Sequence, residues 1–258
     1  MTAPPLRPGR VPFRIYLLVA CVAIATLLAA VAGAVSWYSE SGTLEQPDYA
    51  LTSTTHFLPG FEGSMNECTL FFSSNTTICG LVAYQYNSSS GSGLLVGLWW
   101  GVLGVAVGAA ACGLAGAIAL SSYFSGRIRT ARARRWLLVF LTAGICVALA
   151  GAIALPILQP VALQQAGYCD GFDVPTSPCT SFAGQVAGVG CSGGSCLETG
   201  VSWHPEAGWY LALAAAILFG IALVIVRFRP LGKVCPRCGG QTRYSARFCD
   251  TCSAPLPP

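Results

Sequence analysis

Four stretches of this chain are long enough to cross a lipid bilayer, and none has an acidic, basic or imidazole side chain in its interior. A membrane helix needs about 20 apolar residues at roughly 1.5 Å rise each. The stretches 15–38, 94–123, 136–158 and 209–226 satisfy that length. Any one of them could be a buried helix of a soluble core. Four of them, in 258 residues of which only 9% are charged and 54% hydrophobic, leave too little charge to clothe a soluble surface, since soluble domains usually carry about a quarter charged residues.

The charges then orient the chain. Its basic residues fall in three places. Arg7, Arg10 and Arg14 precede the first span; Arg127, Arg129, Arg132, Arg134 and Arg135 separate the second from the third. Arg227, Arg229, Lys233, Arg237, Arg243 and Arg247 follow the fourth. The two long loops have no Lys or Arg, yet hold Glu40, Glu45, Asp48, Glu62, Glu67, Asp170, Asp173, Glu198 and Glu206. Positive residues are held on the cytoplasmic side during insertion, where they also touch anionic lipid. The expected order is a cytoplasmic N-terminus (1–14), a first span (15–38), an outer loop (39–93), a second span (94–123) and a basic inner loop (124–135). A third span (136–158), a second outer loop (159–208), a fourth span (209–226) and a cytoplasmic tail (227–258) follow. The expected location is the cell membrane, with both termini inside. Ala32, Gly33 and Ala34 also suit a signal-peptide cleavage site, but the apolar stretch is longer than a usual signal core, so an uncleaved helix is expected.

Small residues recur along the spans. Gly97 and Gly101, then Gly104 and Gly108, are four apart, and Gly144, Ala148 and Ala152 offer a similar face. Such spacing lets helix backbones approach closely, within one bundle or across a dimer seam; packing within the chain is the expected use. Pro156 falls near the outer end of the third span, where a kink is tolerated. Trp37, Trp99, Trp100, Trp136 and Trp209 stand at or near span ends, as interfacial aromatics do.

The thirteen cysteines sort into three groups. Cys21, Cys112 and Cys146 lie inside spans and read as small buried hydrophobes. Cys68 and Cys79 in the first outer loop, with Cys169, Cys179, Cys191 and Cys196 in the second, are even sets on an oxidising side and predict disulfides. The second set allows three pairings, of which Cys191–Cys196 with Cys169–Cys179 is expected. The last four, Cys235, Cys238, Cys249 and Cys252, stand in CPRCGGQTRYSARFCDTC. Two Cys-x-x-Cys pairs offer four thiolates to a tetrahedral Zn²⁺ with no open position, which implies a structural ion. So short a segment buries too little to fold alone, so the metal supplies the folding energy. An iron site is the alternative. The fold class expected is thus a mostly α membrane protein: a four-helix transmembrane bundle, a small β-containing extracellular loop region and a C-terminal zinc ribbon (235–252).

In the first loop, ECTLFFSSNTTICGLVAYQY places aromatic and β-branched residues about a polar turn and predicts a hairpin closed by Cys68–Cys79. Asn75 and Asn87 begin glycosylation acceptor triplets. The second loop is rich in Gly and Ser and poor in residues that could fill a core. His56 and His204 stand alone in separate loops, where surface hydrogen bonding is the expected role.

The order of elements resembles the claudin-like tetraspan superfamily. Trp37 at the end of the first span, Cys68 and Cys79 in the first loop, and Gly208-Trp209-Tyr210 at the start of the fourth span carry the likeness. The Gly-Leu-Trp signature of that family is absent; Gly63-Ser64-Met65-Asn66-Glu67 stands in its place. The tail resembles the zinc ribbons appended to many bacterial and archaeal membrane proteins, which with the Ala/Gly-rich spans implies a prokaryotic, archaeal source. These features lead to the expectation of a non-enzymatic scaffold, with a disulfide-stiffened outer surface and a cytoplasmic ribbon that docks a protein partner. An oligomeric channel or transporter subunit is the alternative, although intramembrane ionisable residues, which usually mark such pathways, are missing from the spans. Membrane lipid and further copies of the chain are the other expected partners. Arg237, Arg243 and Arg247 interleave with Tyr244 and Phe248, but nucleic acid is not expected to bind so short a tail.

Overall fold

A computed structural model describes residues 13–46, 48–59, 62–85, 93–125, 130–165, 177–192, 195–229, 231–242, 246–249 and 251–256. Arg7, Arg10, Asn87, Arg127, Arg129, Cys169, Asp170, Asp173, Arg243 and Tyr244 lie outside them. Among the described residues, four helices are long and apolar enough to cross a membrane: α1 (Phe13–Ala32), α2 (Gly93–Phe124), α3 (Thr130–Gln165) and α4 (Ala207–Phe228). Their outer faces leave Ile24, Leu27, Val107, Ile118, Ile153, Ile157, Ile217 and Val224 exposed. Apolar faces that continuous do not persist in water; in hydrocarbon they are the favoured surface, and a helix satisfies its own backbone there.

Two helix bounds differ from the hydropathy reading. α1 stops at Ala32, where Gly33 and Ala34 turn back onto the carbonyls of Ala30 and Val31 at 3.1 and 2.9 Å. α3 continues through both Pro156 and Pro160 to Gln165. Proline lacks the N–H that would bond the carbonyl four residues earlier. For Pro156 that carbonyl belongs to Ala152, and the Trp209 indole Nε1 donates to it instead, at 3.0 Å.

The chain divides into two compact units: Met1–Leu28 with Gly108–Val147 and Ala214–Pro258, and Ala29–Val107 with Ala148–Leu213. The second unit contains an antiparallel sheet of six strands, in the order β4-β3-β2-β1-β6-β5. The first loop supplies β1 (Tyr38–Glu45), β2 (Tyr49–Phe57), β3 (Glu62–Phe71) and β4 (Thr76–Gln85). The second supplies β5 (Gly184–Ser192) and β6 (Ser195–Pro205). The expected hairpin is β3–β4, but it is only one edge of a larger sheet. β1 pairs with β2 on one side and with β6 on the other.

Side chains alternate between the sheet's two faces along β1, although its first three residues, Tyr38, Ser39 and Glu40, are all buried. Tyr38 and Glu40 are buried on one side, and Tyr38 joins Phe57 and Trp203 in a cluster with Trp99, Leu155 and Ala162. Phe57 stacks on Trp99 with ring centroids 5.6 Å apart. Ser39, Ser41 and Thr43 point the other way, as period-two alternation requires. Trp37 and Trp99, read from sequence as interfacial, are fully buried; Trp37 donates its indole N–H to Ala32 O at 2.6 Å. Trp100 and Trp136 are exposed.

In the first unit, Phe219 is buried against backbone that only glycine allows. A side chain at Gly144 would meet its ring at 3.2 Å, and one at Gly113 would strike Thr26 and the same ring. The guanidinium of Arg134 donates to the Val226 and Arg227 carbonyls, at 3.1 and 2.6 Å. Helix C-termini leave such carbonyls without partners, and a cation there also suits the helix dipole. The Tyr123 hydroxyl donates to Leu231 O at 2.6 Å, just before the cysteine-rich tail.

Candidate metal centre

The tail begins with β7 (Lys233–Val234) paired to β8 (Gln241–Thr242). Between them Cys235-Pro236-Arg237-Cys238 forms a tight turn. Gly239 N–H returns to Cys235 O at 2.9 Å, and Cys235 N–H bonds Gly240 O at 2.9 Å. The second pair repeats this arrangement. Ser253 N–H meets Cys249 O at 2.9 Å, and Cys249 N–H meets Ala254 O at 2.9 Å. Gly239 and Ser253 occupy equivalent places, and both have positive φ, 68° and 55°. The sequence signals Gly239, whose missing Cβ permits that conformation; Ser253 in the same role is not apparent from residue type.

These two turns bring all four sulfurs within 4.8 Å of one another. Cys235 Sγ and Cys252 Sγ are 3.7 Å apart, and Cys238 Sγ and Cys249 Sγ are 3.6 Å apart. A tetrahedral zinc with Zn–S bonds of about 2.3 Å requires sulfur–sulfur edges of about 3.8 Å. The donor set and its spacing therefore fit a tetrahedral metal ion, and these four thiols are free rather than disulfide-bonded. Among the described residues, buried Cys235, Cys249, Ala254 and Leu256, with Ala246 and Cys252 packed against them, form the local core, a small apolar cluster of the kind that a bound metal reinforces.

The thiols do not ionise alike. Backbone N–H groups of Cys252 and Thr251 point at Cys249 and lower its pKa from 9.0 to about 6. N–H groups of Cys238 and Arg237 likewise lower that of Cys235. Cys238 receives the Gly240 N–H, which works downward, yet the thiols of Cys252 and Cys249 push it up to about 12. Around the cluster, Arg237 and Arg247 are exposed, as are Val234 (52%) and Phe248 (61%).

The other residues singled out from sequence are distributed as follows. Cys68 and Cys79 form a disulfide between β3 and β4, where their backbones are direct register partners. Cys179 is disulfide-bonded. Cys191 and Cys196 are register partners on β5 and β6. Asn75 stands in the β3–β4 turn with φ 50°. Cys21 is buried, but Cys146 is exposed on α3. His56 Nδ1 lies 2.9 Å from Glu206 Oε1, and His204 Nε2 lies 3.2 Å from Ser39 Oγ.

The small-residue spacing serves packing within the chain at Gly108, against Val147, and at Gly144, against Phe219, but not at the other glycines of the α2 pattern. A Cβ at Gly97, Gly101 or Gly104 would meet nothing within 4 Å, so these residues are not where the chain packs on itself. Gly97 and Gly101 instead line an apolar groove of about 330 Å³ with Gly151, Ala154 and Leu155 of α3. Gly113 and Gly151, which the four-residue spacing did not single out, are further points of close approach within the chain.

Comparison with protein-family models and with curated proteins finds no match for this chain.

Proposed function

We propose that this chain is a non-enzymatic membrane scaffold whose C-terminal segment is a zinc ribbon that docks a cytoplasmic protein. The mounting of that segment carries the reading. Its first residues are fastened to helical elements through Tyr123 and Leu231, and Arg134 ties α3 to the end of α4 just before it. A module held in this way presents Val234, Arg237, Arg247 and Phe248 as a fixed surface, and fixed surfaces lose less conformational freedom when a partner binds. Zn²⁺ is the ion we assign to the four thiolates.

Both termini are placed in the cytoplasm on the charge pattern, in the cell membrane of a prokaryote. On this reading the sheet and its disulfides form the outer interaction surface of a claudin-like tetraspan. Asn75 and Asn87 are acceptors there only where the source glycosylates. Homo-oligomers and anionic lipid are further proposed partners.

Crosslinking and affinity capture from intact membranes test the proposal, comparing the full chain with Phe248→Ala and with Cys235→Ser/Cys238→Ser. One set of captured proteins should be lost in both variants while the protein stays in the membrane. An unchanged set would remove the docking role. The channel reading is tested by ion flux in reconstituted liposomes, where a sealed bilayer is expected.

A further inference from the structure

The chain has two histidines, far apart in sequence, and the sheet puts both in one row. Ser39 on β1 is the direct register partner of His56 on β2 and of His204 on β6. Directly opposed residues project from the same face of an antiparallel sheet, and neighbouring strands are about 4.8 Å apart. The two imidazoles therefore start about 10 Å apart with only a serine side chain between them. His204 leans inward, its Nε2 lying 3.2 Å from Ser39 Oγ.

His56 is oriented from the other side. Its Nδ1 meets Glu206 Oε1 at 2.9 Å, and Ser36 Oγ holds the other oxygen of that carboxylate. A carboxylate on Nδ1 keeps the proton there and leaves a lone pair on Nε2, which is the arrangement that supports metal-binding histidines. His56 is 39% exposed at its side chain, and His204 is exposed. The next row on the same face, Ser41, Thr54 and Ser202, adds only hydroxyls. No Lys or Arg occurs anywhere in 39–93 or 159–208, and the Glu206 carboxylate lies beside His56, so no cation of these loops opposes a bound metal ion and one anion favours it.

We propose that His56 and His204 bind a divalent transition-metal ion together, through Nε2 of each ring, over Ser39. Glu206 is the positioning residue, and water completes the coordination. Imidazole nitrogen with water suits copper or zinc, in contrast to the all-thiolate tail. This site is independent of the docking role given to the ribbon.

The test uses the full chain in lipid nanodiscs, without a polyhistidine tag, its tail loaded with Zn²⁺, and Cu²⁺ as the probe. Because no other imidazole exists in the chain, electron spin-echo modulation counts these two directly. The expected result is one Cu²⁺ bearing two imidazoles. His56→Ala and His204→Ala should each abolish the two-imidazole signal, and Glu206→Gln should keep it while weakening affinity about 10- to 100-fold. A wild-type spectrum with one imidazole or none overturns the proposal without reference to any variant. Two copper ions bound independently would overturn it equally, and full affinity in Glu206→Gln would remove the positioning role.

Discussion

The Trp209 indole donates to the Ala152 carbonyl at 3.0 Å, the carbonyl that Pro156 leaves without its helical partner. An unsatisfied carbonyl is costly where no water can replace the donor. Trp209→Phe should therefore cost about 1–3 kcal/mol, the penalty for orphaning a buried polar group. Pro156→Ala restores an N–H to the helix, so in that background the same change should cost much less. Unfolding of the four proteins in detergent measures the coupling; strictly additive effects would contradict it.

A second prediction concerns Ser253. It holds φ 55° so that its N–H can reach Cys249 O, a conformation that costs an L-residue roughly 1–2 kcal/mol. Ser253→Gly should tighten Co²⁺ binding by up to about tenfold, and Ser253→Val, β-branched, should weaken it. Titration of the cobalt–thiolate absorption checks both. Equal affinity in all three would mean that the turn is not set by this residue.

Acid should empty the tail. Metal binds thiolates, so protons compete with it. Cys249, lowered to about 6, is ionised at neutral pH and loses its charge as pH falls through that value. Affinity should therefore fall as pH drops from neutrality, because Cys238 must give up its proton to bind, and fall more steeply below about pH 6, where Cys249 is protonated as well. Cys238, pushed up to about 12, is protonated until metal arrives. Binding near neutral pH should therefore release protons, which calorimetry in buffers of different ionisation heat detects.

Two glycines separate packed backbone from open backbone. A side chain at Gly113 would strike Thr26 and Phe219, whereas Gly101 faces empty space. Gly113→Ala should cost about 1–3 kcal/mol through overpacking, and Gly101→Ala should stay within about 0.5 kcal/mol. A Gly101→Ala as damaging as Gly113→Ala would mean that another molecule fills the groove.

The helices and the tail were legible because their signals are local. Unbroken hydropathy marks a span, and Cys-x-x-Cys spacing marks a metal ligand pair. The sheet was not, beyond the β3–β4 hairpin closed around a polar turn. β1 finds β6 across most of the chain, and Gly/Ser-rich β5 and β6 lack the β-branched, aromatic composition of a strand. Their pairing depends on Trp203, Tyr38 and Phe57 meeting in one core, which no short window displays. Trp37 and Trp99 were misread for a related reason: tryptophan near a span end is equally suited to a lipid interface and to a buried stack. Spacing of small residues was also ambiguous, since Gly97 and Gly101 match the packing pattern but line open space. The partner of the carbonyl that Pro156 strands could have been sought from sequence, because the donor it requires must come from another element.

The central claim is a four-span chain whose cysteine-rich tail stays inside the cell. An epitope fused after Pro258 and probed in intact and in permeabilised cells tests it most directly. The account predicts that antibody reaches the epitope only after permeabilisation, while one inserted at Asn75 is reached in intact cells. A Pro258 epitope labelled from outside would contradict the orientation, and with it the compartments assigned to the metal, the disulfides and the docked partner.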